Sequence, residues 1–225
     1  KNPITIVISY INMAGQVFIN DDLLWQDQSL VEPLSRSWNM PRYWSLPSSI
    51  LKQGENIVWV RVVGVKTQNS GLGQVLLGDA TEVMPKFQVF WNQQRVLMFL
   101  NLISSLTLGL VAFLVWIFHR KDQLFGWFTL VTLMWSMVVF NTIMLEAPFG
   151  LTTLQIARIS ITCFFAYSLF SCFYAWRLAQ RKFPRLEKIL LLMLFIAIGM
   201  AILLPDTALY NFISGTFFLS LLVLL

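Results

Sequence analysis

Residues 96–118 read VLMFLNLISSLTLGLVAFLVWIF, a run without a single charge that ends at His119-Arg120-Lys121. A helix rises about 1.5 Å per residue, so this run is long enough to cross a hydrocarbon layer of about 30 Å. Downstream lie four further apolar runs, at 124–145, 159–176, 189–204 and 208–225, each near the roughly 20 residues that a membrane helix needs. Upstream the composition reverts to that of a water-facing domain: residues 1–96 hold eight of the sixteen Lys and Arg and seven of the eleven acids. The 225 residues as a whole are 57% hydrophobic and 12% charged, where a soluble domain carries roughly a quarter charged residues. Mean hydropathy is +0.68. The expected fold is therefore a membrane protein of β + α class, with an all-β domain of jelly-roll or sandwich type at 1–85 and a transmembrane helical region at 86–225.

Charge placement excludes one function class and sets an orientation. Residues 1–96 sum to +1 and residues 97–225 to +4, so the basic surplus lies between apolar runs and not in a stripe that could track a phosphate backbone. Nucleic acid is excluded as a partner, and the lipid bilayer is expected. The connections after the first and third runs hold Arg120, Lys121, Arg177, Arg181, Lys182, Arg185 and Lys188, whereas the alternate connections hold only Arg158 as a cation. Basic connections stay inside, which places the β domain outside the membrane.

In that domain Ile4, Ile6, Ile8 and Tyr10 alternate with Thr5, Val7, Ser9 and Ile11, a period-two strand with one face on a core. Residues 16–20 and 23–25 predict a hairpin turned at Asn20-Asp21-Asp22, where Asn and Asp tolerate left-handed backbone. Residues 48–54 predict one helical turn stopped by Gly54. The β-branched stretch 57–65 then predicts a central strand, with Ile57, Trp59 and Val63 on one buried face and Val58, Val60 and Val62 on the other. After a polar loop at 66–70, residues 73–77 predict a last strand. A short linker, 78–85, leads to helical periodicity from Lys86, with Trp91 placed as an interfacial anchor.

Signatures of catalysis are missing. One His cannot build a His-rich metal site, no Ser-His-Asp set is suitably placed, and Gly71, Gly73 and Gly78 have the wrong spacing for a dinucleotide loop. No catalytic residue, metal or cofactor is expected. Cys163 and Cys172 stand nine residues apart, on opposite faces of one helix, and read as packing residues. Asn101 and Asn141 fall at similar depth and could bond between helices; Glu146 and Arg158 could pair at the outer rim. The stretch 36–44, Arg-Ser-Trp-Asn-Met-Pro-Arg-Tyr-Trp, gathers aromatic faces, an amide and guanidinium donors, the mixture that a sugar or carboxylate would use. Trp38, Asn39 and Arg42 are its candidate ligand-binding residues, while Trp44 and Trp59 read as core.

Three pieces carry a family resemblance. Val17-Phe18-Ile19-Asn20-Asp21 looks like the hairpin of galactose-binding jelly rolls, and Leu51-Lys52-Gln53-Gly54-Glu55-Asn56 followed by Ile57–Val62 looks like their Gly-Glu-Asn strand. With Gly71–Gly78 and the apolar runs behind them, the chain resembles bacterial seven-transmembrane receptors with diverse intracellular signalling modules. The resemblance implies an inner-membrane, multi-pass receptor whose periplasmic N-terminal domain binds a small ligand, carbohydrate among the candidates, and which works as a homodimer. It implies a histidine kinase beyond residue 225, with a diguanylate cyclase as the alternative output. Both ends of the chain then read as cut. A non-catalytic, membrane-anchored assembly subunit is the rival from another class. A transporter is disfavoured, because no run carries a charge at mid-membrane.

Overall fold

The computed structural model describes residues 3–66, 68 and 70–224. Residues 67 and 69 of the polar loop, together with residues 1, 2 and 225, lie outside the described residues. The strands are β1 (Ile4–Ile8), β2 (Ala14–Ile19), β3 (Asp22–Gln26), β4 (Arg42–Leu46), β5 (Val58–Val63) and β6 (Val75–Asp79). The helices are α1 (Ala80–Trp91), joined by a π-helical turn (Asn92–Val96) to α2 (Leu97–Phe118), then α3 (Gln123–Ile143), α4 (Thr153–Leu178), α5 (Pro184–Leu203) and α6 (Leu209–Leu224). Two compact units result. The first runs to Phe99 and includes Ile143–Thr153; the second holds Leu100–Thr142 and the chain after Thr153.

The first unit has two antiparallel sheets, ordered β4-β1-β6 and β3-β2-β5. Ile6 and Ile8 from β1, Val17 and Ile19 from β2, and Leu46 from β4 meet in one core, against which Val58, Val60 and Val62 of β5 pack. The central strand of the first sheet is β1 and not, as expected, β5. β5 pairs only with β2 among the described residues, and Ile57 and Trp59 are 58% and 46% exposed. Trp59 is thus no core residue: it stacks on Phe18 at 4.1 Å and donates Nε1 to Asn20 O at 3.1 Å on the outer face of the sheet. A β-branched run is equally suited to an edge strand with one wet face, so composition alone misplaced it.

The turn at Asn20 takes left-handed backbone, φ 53°, as its residue type suggests. Its side chain accepts from Ile57 N and donates to Ile50 O and to Asn56 Oδ1, which fixes the approach to β5. Gly54, at φ 97°, turns the chain between Lys52 and Asn56, whose side chain closes the loop on Lys52 N and O. Residues 48–50 form a single hydrogen-bonded turn, closed by Ile50 N on Pro47 O at 3.1 Å, and not a helix.

Both faces of β1 are buried, because α1 lies on the second face: Val83 and Phe87 pack on Val7, and Tyr43 of β4 meets Phe87 edge-on at 4.8 Å. The helix starts at Ala80, well before Lys86, and the expected linker at 78–85 is absent. Asp79, the last residue of β6, caps the helix by accepting from Thr81 N at 2.9 Å. Pro85 removes one hydrogen bond inside α1 without ending it.

In the second unit, helices consecutive in sequence from α2 to α5 run antiparallel, and α6 packs parallel to α4 through Phe164 on Phe217 and Cys172 Sγ on Val223 O. Trp135 Nε1 on α3 donates to Asn101 Oδ1 on α2 at 2.8 Å, so Asn101 is held by an indole. Arg177, at the end of α4, meets Gln123 at the start of α3 and grips Glu187 of α5 through two 2.8 Å bonds. Arg158 pairs with Asp206 at 2.6 Å and donates to Ala201 O and Leu204 O, while Glu146, in the first unit, accepts from Ser35; the expected Glu146–Arg158 pair gives way to these. Among the described residues, four helical spans are long and apolar enough to cross a membrane: Ala80–Phe118, Gln123–Ile143, Thr153–Leu178 and Pro184–Leu203. The fifth expected span, α6, is a shorter apolar helix. The protein is a membrane protein of β + α class.

Phe87→Ala should cost the first unit about 3–5 kcal/mol, the range for emptying a buried aromatic site, and hydrogen exchange at the β1 amides should accelerate. Leu77→Ala, at a position 61% exposed, should change it by about 0.5 kcal/mol or less.

Candidate functional site

The stretch between β3 and β4 builds the site. Asp27 lies just past β3, and its carboxylate is claimed three times: Gly15 N donates to Oδ2 at 2.8 Å, Ser37 Oγ to Oδ1 at 2.5 Å, and Arg42 Nη2 to Oδ1 at 3.1 Å. Arg42 Nη2 also donates to Ser37 Oγ at 3.0 Å, and its guanidinium lies 4.1 Å over the ring of Trp25. Ser37–Asn39 forms a 3-10 turn, anchored by Ser37 N on Met13 O. Met13 is fully buried at φ 71°, a left-handed conformation that costs a non-glycine residue of order 1 kcal/mol.

Two other segments converge there. Asn39 Nδ2 donates to Gln94 O in the π-helical turn at 2.5 Å, and Arg95, from the same turn, donates to Ile143 O at 2.8 Å. The connection between α3 and α4 is held by Arg36 N on Leu145 O at 2.6 Å, Ser35 Oγ on Glu146 Oε1 at 2.7 Å, and Thr153 N on Glu32 Oε2 at 3.0 Å. A loop of the β domain, the turn that opens the first long helix and the α3–α4 connection therefore share one hydrogen-bond network, all within the first unit.

The arginines of the network are desolvated. Arg36, 1% exposed, lies 4.8 Å over Trp38, and burial pushes its guanidinium down to about 10. Burial also lowers Arg42, opposed by Asp27 and Glu146 and reinforced by Arg95, so those charges face it. Burial raises Asp27 despite the Ser37 bond and the Arg42 charge. Arg36, Arg42 and Arg95 thus share the network with three carboxylates, Asp27, Glu146 and Glu32. Arg42 Nη1 and Trp38 Nε1 are buried donors without an acceptor, and an unmet buried donor costs about 1–3 kcal/mol. A carboxylate or a sugar hydroxyl would satisfy such donors; no group of three or more His, Cys, Asp or Glu is placed to hold a metal among the described residues.

Trp38, Asn39 and Arg42, singled out by residue type, are brought to this one place. They form no open rim: all three are half-buried, and Asn39 and Arg42 use part of their polarity inside the network. Sequence reasoning missed Asp27, Ser37, Gln94, Arg95 and Glu146. Arg95, a lone charge on the shoulder of an apolar run, was the one visible signal; nothing local marks Asp27. No family model, curated protein or solved structure matches the chain.

Asp27→Ala strands the Arg42 guanidinium and should destabilise the unit by about 3–5 kcal/mol, whereas Asp27→Leu with Arg42→Met together should cost less than the two single changes combined. A raised folded pKa means that folding takes up a proton above the unfolded value of 3.8. The Asp27 contribution is therefore fullest below that pH and declines as pH rises through the folded pKa. The difference in stability between wild type and Asp27→Asn, measured by denaturant titration across the acid range, should grow against the wild type as pH rises through that window.

Proposed function

We propose that the chain is the sensory and membrane-embedded portion of a bacterial signal-transduction receptor, with the β domain periplasmic and the helices in the inner membrane. The output is a histidine kinase encoded beyond residue 225, with a diguanylate cyclase of the same architecture as the alternative. The observation that carries this reading is the network joining Arg42, Asn39 and Gln94: a half-buried cluster with unmet donors is bonded directly to the turn that opens a membrane-length helix. In the proposal a small ligand, carboxylate or carbohydrate, takes the free donors of Trp38 and Arg42. It thereby alters the hold of Asn39 on the π-helical turn and biases the helix. The jelly-roll ancestry of the β domain is part of the proposal, supported by two antiparallel sheets that share one core. So is a homodimeric state.

A scaffold subunit would have no use for unmet buried donors beside a helix entry, which disfavours that rival. The deciding measurement is thermal unfolding of the detergent-solubilised chain against a panel of mono- and dicarboxylates and neutral monosaccharides. At least one compound should raise the midpoint and slow hydrogen exchange at 80–99, and Trp38→Ala and Arg42→Gln should each weaken that effect at least tenfold, the value of one lost charged or aromatic contact of about 1.4 kcal/mol. A panel without effect, or an effect untouched by both variants, would sink the reading. The reading frame downstream of Leu225 separates the outputs: a His-bearing helix pair with an ATP-binding domain, a cyclase domain, or neither.

A further inference from the structure

Between α2 and α3, in the second unit, lie two cavities of about 300 and about 500 Å³. Phe113, Thr129 and Leu133 line both, so the two form one groove. Its deep part, ending at Ser105 and Ser136, is walled almost wholly by carbon, and its polar surface is gathered at the other end, by Trp116, Gln123 and Arg177. Gly126 makes the slot there: a Cβ on it would meet Trp116 Nε1 at 2.9 Å. From Ser105 to Trp116 a helix rises about 16 Å, roughly half of a 30 Å hydrocarbon layer. The groove therefore has the length of one leaflet, with a carbon-lined floor and a polar mouth.

Charge at the mouth says what fills it. Arg177 is committed to Glu187, and Asp122 caps α3 by accepting from Leu124 N. Arg120 stands 5.9 Å over Trp116, and Arg120 and Lys121 are exposed and form no salt bridge among the described residues. The geometry points to an anionic phospholipid as the occupant, with one acyl chain in the α2–α3 groove and its phosphate between Trp116, Arg120 and Lys121. Uncommitted cations beside an apolar groove at a membrane surface attract anionic headgroups. A zwitterionic lipid would fill the groove equally well and gain nothing at the mouth. The inference is independent of the receptor reading and needs only that the helices lie in lipid.

Native mass spectrometry tests it, using the detergent-solubilised chain stripped of lipid and titrated with dioleoyl phosphatidylglycerol or dioleoyl phosphatidylcholine. One phosphatidylglycerol should bind at least about tenfold more tightly than phosphatidylcholine, as two uncommitted cations predict. Arg120→Gln with Lys121→Gln, both exposed, should bring the two lipids within about twofold of each other, while Leu133→Phe, which fills the shared part of the groove, should weaken both several-fold. Equal binding of the two lipids by the wild type, or a preference that survives the double charge change, overturns the proposal. So does phosphatidylglycerol binding that Leu133→Phe leaves intact, which would mean headgroup adsorption alone, or a dimer that forms in place of lipid binding. Should Leu133→Phe fail to fold, the charge pair still decides.

Discussion

Val7 is fully buried, although it sits on the face of β1 that points away from the core between the sheets. An antiparallel sheet can leave that face to water; here Val83 and Phe87 cover it. The rest of the first unit follows from this contact. For α1 to lie on β1, β6 must hand the chain to the helix without a spacer, and Asp79 serves both as the last residue of the strand and as the cap of the helix. The π-helical turn, one helix length further on, then arrives at the loop that carries Asp27, Ser37 and Asn39.

Arginine is used twice in one way. Helices end with carbonyls that have no partner in the helix, and in a membrane protein water is a poor substitute. Arg95 donates to the carbonyl of Ile143 at the end of α3, and Arg158 donates to Ala201 O and Leu204 O at the end of α5. A guanidinium has five donors and no acceptor, so one side chain can close an open helix end and still offer a charge elsewhere. Arg158 gives the rest to Asp206. Arg42, which closes no helix end, is held by Asp27, Ser37 and the face of Trp25 and keeps one donor unmet. That difference separates the arginines that close helix ends from Arg42, which has a donor left for a ligand.

Much of this was legible in the sequence because the signals are large. The solvent change near residue 96 is written in uninterrupted apolar letters, the Asn20 turn in a residue type that accepts positive φ, and β1 in strict alternation. The misreadings share a cause, which is that a partner distant in sequence decided them. The helical periodicity argued for a helix from Lys86, but the cap at Asp79 and the cover over Val7 put the start at Ala80. Val58, Val60 and Val62 pack inward as expected, yet no pattern within 57–65 tells whether a further strand lies beyond Trp59. At the site, Trp38, Asn39 and Arg42 stood out by chemistry. Asp27 did not, because its role comes from Gly15, Ser37 and Arg42, which only the folded loop brings to it.

The π-helical turn explains why the site lies where it does. Leu97 N donates to Asn92 O, five residues back, so the turn carries one residue more than an α-helix would. Such a turn is uncommon and is retained where something outside the helix holds it. Here two bonds do so, Asn39 to Gln94 O and Arg95 to Ile143 O, one made by the β domain and one at the end of α3. Removing the extra residue from the turn would rotate everything beyond it by about 100° and move it by about 1.5 Å along the axis. Neither bond could survive that change unaltered. The loop that carries Asn39 therefore bears on the register of the first long helix through one hydrogen bond, and the same loop carries the unmet donors of Trp38 and Arg42.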